Sequence, residues 1–106
     1  MGFRQSRYRA ILAGFSMYRI SDNVRSTYSE DGAIVLDVHQ GRVFRLNATA
    51  SLVLSAVQQG NTESQIVRDM SEEFGAPAEV VESDVSELLN ALERFGVIHN
   101  AGDPTS

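Results

Sequence analysis

The chain has no cysteine, no lysine and no tryptophan, and only two prolines and two histidines among its 106 residues. Without cysteine there are no disulfides, no thiolate nucleophile and no cysteine-ligated zinc or iron–sulfur site. That composition fits a reducing, cytoplasmic setting. The missing lysines are read as genomic base composition. No apolar run approaches the roughly 20 residues that a membrane-spanning helix needs. Three arginines precede Ala10-Ile11-Leu12-Ala13-Gly14-Phe15, but this stretch is short and Arg19 closes it without a small-residue cleavage site. It does not read as a secretion signal.

What charge there is lies unevenly. Nine arginines against fourteen acids give a net charge of −5. Arg4, Arg7, Arg9 and Arg19 all fall in residues 1–23, against Asp22 alone, so the body of the chain is acidic. An acidic body repels phosphate backbones, which argues against nucleic acid as a partner. A chain of this length holds one domain with enough core to fold without a staple.

Three zones follow from the pattern of apolar residues. Residues 1–21 are basic and mildly apolar and read as an N-terminal extension. Residues 22–98 read as the folded domain, and 99–106 as a flexible C-terminal tail. Within the domain, strands come first. Val24 to Ser29 is followed by Asp31-Gly32, a hairpin signal in which both central turn residues take positive φ. Ala33 to Val38 is rich in β-branched residues, and His39-Gln40-Gly41 turns the chain again. Arg42-Val43-Phe44-Arg45-Leu46 alternates, with Phe44 and Leu46 on one face and Val43 and Arg45 on the other.

Helices follow. Asn47 can cap the first, which carries Leu52, Val53, Ala56 and Val57, and Gly60 stops it. Thr62-Glu63-Ser64-Gln65 is a capping box for the second, whose expected buried stripe is Ile66, Val67, Met70 and Phe74. Pro77 suits the first turn of the third. Its expected core stripe is Val81, Val85, Leu88, Leu89, Leu92 and Phe95. Val97-Ile98 closes the core. The fold class is α+β and winged helix-turn-helix-like: a three-stranded antiparallel sheet followed by a three-helix bundle.

No catalytic constellation is present. His39 lies in a turn and His99 in the tail, neither near carboxylates at metal-ligand spacing, and the glycines end elements rather than cradle phosphate. The expectation is a protein that is not an enzyme, with no cofactor and no metal. The more informative feature is an edge. If sheet order follows sequence, the third or the first strand exposes unpaired backbone groups. Such an edge can accept an extended peptide as an added strand. Equally, Arg42 and Arg45 can simply blunt it against aggregation. If it does accept a strand, one of Val43 and Arg45 is expected to aim its amide at the ligand. On the third helix, Val80, Asp84, Glu87 and Ala91 fall within a band of about 60°. Small Ala91 would leave a groove there and the acids would favour basic or hydroxyl-bearing groups; an ordinary solvated flank reads the same way.

The residues themselves resemble a family. Asp31-Gly32-Ala33-Ile34-Val35-Leu36-Asp37 leads into Gly41-Arg42-Val43-Phe44-Arg45-Leu46-Asn47-Ala48-Thr49-Ala50, and Asp84-Val85, Leu88-Leu89, Leu92 and Gly96-Val97-Ile98 follow. Over residues 22–98 this is similar to the PQQ-biosynthesis protein D family of precursor-peptide recognition elements. The resemblance implies that a leader peptide adds to the third strand, at Arg42, Val43, Phe44, Arg45 and Leu46. It also implies that the leader lies against Asp84, Val85, Leu88 and Ala91 of the third helix. The implied partners are a precursor leader peptide and a leader peptidase or other modifying enzyme of the same pathway, with no nucleic acid and no membrane. The Leu-Asn-x-Thr-Ala run looks closest to the discrete recognition proteins of lasso-peptide pathways; the peptide chaperone of the PQQ pathway is the alternative. A winged-helix DNA-binding regulator shares the fold, but its recognition helix should be basic. Here the third helix has Glu79, Glu82, Asp84, Glu87 and Glu93 against Arg94. Family members usually begin just before the first strand, so a chain starting at Met17 is expected to fold and bind.

Overall fold

The computed structural model describes residues 17–101. Among these residues five strands and three helices follow one another: β1 (Tyr18–Ile20), β2 (Val24–Ser29), β3 (Gly32–Asp37), β4 (Arg42–Asn47), α1 (Ala48–Gln58), α2 (Glu63–Phe74), α3 (Ala78–Arg94) and β5 (Ile98–Asn100). β2, β3 and β4 form an antiparallel meander with β3 in the middle. The expected order of three strands and then three helices is therefore present.

The second sheet was not foreseen. β1 pairs antiparallel with β5, placing Tyr18 opposite Asn100 and Ile20 opposite Ile98. The Ser21 amide donates to the Val97 carbonyl (2.9 Å) and the Ala101 amide to the Met17 carbonyl (2.9 Å), extending the ladder at both ends. Residues 18–20, read as part of an extension, and 99–100, read as tail, thus belong to one ordered pair. The remaining residues of those two zones, 1–16 and 102–106, lie outside the described residues.

The first hairpin also differs from the sequence reading. Its loop is Glu30-Asp31, since Ser29 pairs with Gly32, and no non-glycine residue among those described has positive φ. Gly32 instead opens β3 with φ +151, and a Cβ there would collide with the Leu46 carbonyl oxygen of β4. Glycine is needed for this close strand approach, not for the turn. The second hairpin is organised by Asp37, whose side chain is buried. One carboxylate oxygen accepts from the Asn23 side chain (2.9 Å) and from the amides of His39 (3.0 Å) and Gln40 (3.2 Å). The other meets Arg42 at 3.3 Å. Gly41 completes the turn at φ +67.

Helix ends follow local chemistry. Asn47 caps α1 by accepting from the Ala50 amide at 2.8 Å, so the last residue of β4 is also the first fixed point of the helix. Thr62 and Gln65 form the expected reciprocal box on α2. Pro77 is the N-cap of α3 rather than a residue of its first turn.

The core lies between the inner face of the meander and the three helices. Val24 and Val35 come from the sheet, Val53, Leu54 and Val57 from α1, Ile66 and Met70 from α2, and Val81, Val85, Leu89 and Leu92 from α3; Val97 and Ile98 close it. Two aromatics expected inside are outside. Phe74 is 53% exposed and Phe95 46% exposed, each at the C-terminal end of its helix. Leu52 faces solvent, while Leu54 is fully buried. Both β2 and β4 are edges of the meander, but they have different neighbours. β2 borders β1 and the end of α1 across a hollow of about 600 Å³ whose walls include Met17 and Ala101, where the described residues begin and end.

A candidate peptide-docking edge

Among the described residues, β4 is hydrogen-bonded on one side only. Which of its amides point away follows from the neighbouring pair. The Val38 amide donates to the Asn23 carbonyl of the β2 side at 2.8 Å. Because backbone groups alternate along an antiparallel strand, even-numbered residues of β3 turn to β2 and odd-numbered ones to β4. Asp37 facing β4 agrees, since its carbonyl accepts from the Gly41 amide at 2.8 Å. With Asp37 opposite Arg42, Val35 opposite Phe44 and Ala33 opposite Leu46, those three residues of β4 bond inward. Val43 and Arg45 therefore both direct N–H and C=O outward. The expectation that only one of them does so is wrong: residues two apart on a strand point the same way.

Side chains of β4 divide between two faces. Phe44 and Leu46 are half-buried and pack against the core, while Val43 and Arg45 are exposed on the opposite face. Arg42 is committed locally. Its guanidinium reaches Asp37 and the Phe95 carbonyl (3.0 Å) and lies 5.3 Å from the centre of the Phe44 ring. The Phe44 and Phe95 rings are 5.5 Å apart. Arg42 and Phe44 thus tie the start of β4 to the end of α3.

At its other end, the chain leaving β4 meets the first half of α3. There a hollow of about 210 Å³ is lined by Thr49 and Val53 of α1, Met70 and Phe74 of α2, Ala76, and Val80, Val81, Asp84, Val85 and Leu88 of α3. The structure brings together three of the four predicted α3 residues, Asp84, Val85 and Leu88. Val85 is a buried floor residue, Leu88 half-buried and Asp84 exposed at the rim. Ala91 does not line the hollow; it is half-buried one helical turn before Phe95. The start of β4 thus meets the end of α3, and Thr49, two residues past the end of β4, meets Val80–Leu88 of the same helix. Thr49 and Phe74 were missed by the sequence reading. Phe74 follows the helical period of the buried residues, so nothing in the sequence set it apart from the core.

Electrostatics around this site are simple. Hydrogen bonds hold the Asp37 carboxyl down to about 2, the Asn23 side chain contributing most and the His39 and Gln40 amides and Arg42 adding to it. Asp37 is therefore an ionised pin for the β3–β4 turn. Elsewhere, burial and the nearby charge of Glu82 push the Glu63 carboxyl up from its ordinary value. Among the described residues no group of histidines and acids is arranged to hold a metal ion, and no helix is long and apolar enough to cross a membrane.

An α+β domain with three antiparallel strands, three helices and an open strand edge beside the last helix is the class defined so far. The family model described as coenzyme PQQ synthesis protein D (PqqD) matches residues 32–98, and the chain belongs to that family. The structure of TbiB1 in complex with the TbiA(beta) leader peptide is similar, at 28% identity and TM-score 0.75, over 80% of this chain and 99% of that one. The PqqD truncation of Methylobacterium extorquens PqqCD, a stand-alone recognition element for ribosomally synthesised, post-translationally modified peptides, is similar at 27% identity and TM-score 0.67. That likeness covers 81% of this chain and 92% of that one. A lasso peptide synthetase B1 complexed with its leader peptide shares the fold at 21% identity and TM-score 0.72, over 77% of this chain and 96% of that one. No curated protein sequence matches the chain.

Proposed function

We propose that this protein binds the leader segment of a ribosomally made precursor peptide by strand addition to β4 and presents it to a processing or modifying enzyme. The observation that carries the reading is the β4 edge, where Val43 and Arg45 both direct outward backbone groups that no described strand pairs, with a hollow lined by Val85 and Leu88 of α3 just past the end of the strand. An added strand gains affinity from main-chain bonds and specificity from pockets for its side chains. Solved relatives of the same fold, TbiB1 among them, hold leader peptides, which supports the reading. The Leu46-Asn47-Ala48-Thr49-Ala50 run favours a lasso-peptide pathway within this class.

Leader binding does the chemistry of recognition only. The edge orients the peptide, the hollow accepts an apolar side chain, and Asp84 at the rim attracts a basic or hydroxyl-bearing neighbour. Titration of the purified protein with the leader peptide encoded beside its gene, followed by amide chemical shifts, tests this. Saturable binding with the largest shifts at Val43 and Arg45 is expected. Absence of binding, or shifts confined to residues remote from β4 and α3, would reject it.

A further inference from the structure

The chain upstream of Met17 leaves the domain beside two hollows of opposite character. Met17 forms an isolated antiparallel bridge with Thr62, the N-cap of α2. Read backwards from Met17, the chain therefore runs on in the direction in which α2 begins. Met17 itself lines the hollow of about 600 Å³ between β1 and β2, whose walls include Arg19 and Arg25 and no carboxylate. Asn61, next to the bridge, lines a second hollow of about 180 Å³ between α1 and α2. Leu52 and Ala56 of α1 and Ile66 and Met70 of α2 make this one apolar, and the exposed Asp69 and Glu73 are its acids. Leu52 is 45% exposed, and neither Asp69 nor Glu73 forms an ion pair among the described residues.

Charge decides which of the two the upstream residues suit. Residues 1–16 carry Arg4, Arg7 and Arg9 and no acid. Tyr8, Ile11, Leu12 and Phe15 recur at the i, i+3, i+4, i+7 spacing of one helix face. Arginines are repelled by Arg19 and Arg25 at the first hollow and complement Asp69 and Glu73 at the second. Reach is sufficient. The stretch from Arg9 to Ser16 spans about 12 Å coiled as a helix and about 26 Å extended, against about 17 Å along α2 from Thr62 to Glu73. A segment tethered this closely meets its own domain at an effective concentration on the order of millimolar, far above that of a second copy in dilute solution.

We propose that residues 1–16 dock on their own domain, laying Tyr8, Ile11, Leu12 and Phe15 into the hollow between α1 and α2 and setting the neighbouring arginines against Asp69 and Glu73. Docked there, the segment covers Leu52, neutralises part of the acidic face of α2 and leaves β4 open. This contact is independent of strand addition, since it uses neither β4 nor Asp84.

The absence of cysteine makes the test clean. Ala13→Cys in the full chain takes a nitroxide label at a unique thiol, on the side of the helical period away from the apolar stripe. Amide signals of the labelled chain are expected to lose intensity most at Leu52, Ala56, Asp69 and Glu73. Leu12→Asp with Phe15→Asp, which changes no residue of the described domain, is expected to restore them. Asp69→Arg with Glu73→Arg is expected to restore them as well, and added salt to restore them in part. Full intensity at the α1 and α2 residues of the labelled parent overturns the proposal, and so does a loss that persists in both double variants. Greatest loss at Val43, Arg45 and Asp84 would instead make the segment a stand-in for a bound peptide, which also overturns it. A loss that appears equally when labelled chain is mixed with unlabelled, isotope-enriched chain assigns the contact to a second copy and overturns it too. If the α1 and α2 signals survive and the segment instead binds vesicles of anionic phospholipid, its partner is a membrane surface and the proposal falls.

Discussion

Phe44 of β4 and Phe95 at the end of α3 hold their rings 5.5 Å apart at a tilt of 47°. With Arg42 donating to the Phe95 carbonyl, this contact is the tie between the candidate docking strand and the helix facing it. Tilted aromatic pairs contribute about 1 kcal/mol beyond the area they bury. Phe95→Ala is expected to lower unfolding free energy by about 1–2 kcal/mol. Because the lost contact orients β4 against α3, leader affinity should fall too. Urea denaturation and leader titration read the two effects separately.

Proline at either Val43 or Arg45 removes an outward amide without removing a bond to β3. Each variant is expected to weaken leader binding by about 1 kcal/mol or more, roughly fivefold, the net worth of one hydrogen bond. Proline at Phe44 would instead break the β3–β4 ladder and unfold the hairpin. Circular dichroism separates the two classes. Wild-type leader affinity in both folded proline variants would place the partner elsewhere.

Between β4 and α3 two substitutions probe the groove. Ala91→Trp adds bulk where the helix approaches Phe95, and Asp84→Arg reverses charge at the rim of the hollow. Both positions are outside the buried stripe, so stability should change by less than about 1 kcal/mol. Leader binding is expected to drop at least fivefold for Ala91→Trp, and for Asp84→Arg in proportion to the basic charge of the leader. Calorimetric titration at two salt concentrations distinguishes bulk from charge.

Acid should loosen the β3–β4 turn in a defined window. The folded Asp37 carboxyl sits at about 2, below its ordinary 3.8. Its contribution is therefore fully present above about pH 4 and is lost as pH falls through 2. Asp37→Asn is expected to be less stable than the parent at neutral pH and to show a flatter stability profile between pH 4 and 2. Glu63 has the opposite sign. Its raised folded value disfavours the ionised helix start, so Glu82→Gln should stabilise the protein slightly at neutral pH. Thermal melts across pH follow both.

A chain beginning at Met17 keeps β1 and is expected to fold and bind leader like the full chain. One beginning at Asp22 loses the partner of β5 and uncovers Ile98, which is 1% exposed. A destabilisation of about 2 kcal/mol or more is expected from the exposed side chain and lost ladder. Hydrogen exchange at residues 97–101 would report it first.

The local grammar of the chain was readable wherever the physics is local. Asn47 and the Thr62–Gln65 box mark helix starts through groups within four residues of one another, and the alternation of Arg42–Leu46 sets the faces of β4. Long-range pairing was not readable. Three-residue strands such as Tyr18–Ile20 and Ile98–Asn100 carry too little pattern, and only tertiary contact makes them strands. Phe74 and Phe95 follow the helical period of buried neighbours, yet the core ends before the helix does. Asp31-Gly32 had the composition of a turn, but Gly32 answers to the Leu46 carbonyl across the sheet. For the site, the Val43–Arg45 edge and the Asp84–Val85–Leu88 wall came from the sequence and its resemblance. Thr49 and Phe74 required knowing how α1 and α2 close around α3.

Tyr18 and Asn100 are cross-strand neighbours, so the described part of the chain begins and ends side by side. β1 lies against the β2 side of the meander, and β4 is the far edge. Such a layout makes the domain a portable cassette. It can be spliced into a surface loop of a host polypeptide, or appended at either end, with both junctions leaving from one spot and the candidate docking edge turned away from the seam. Circular permutation should be equally easy: a short linker joining Asn100 to Tyr18 would close the ring, and new termini opened in the Glu30-Asp31 turn would leave every helix intact.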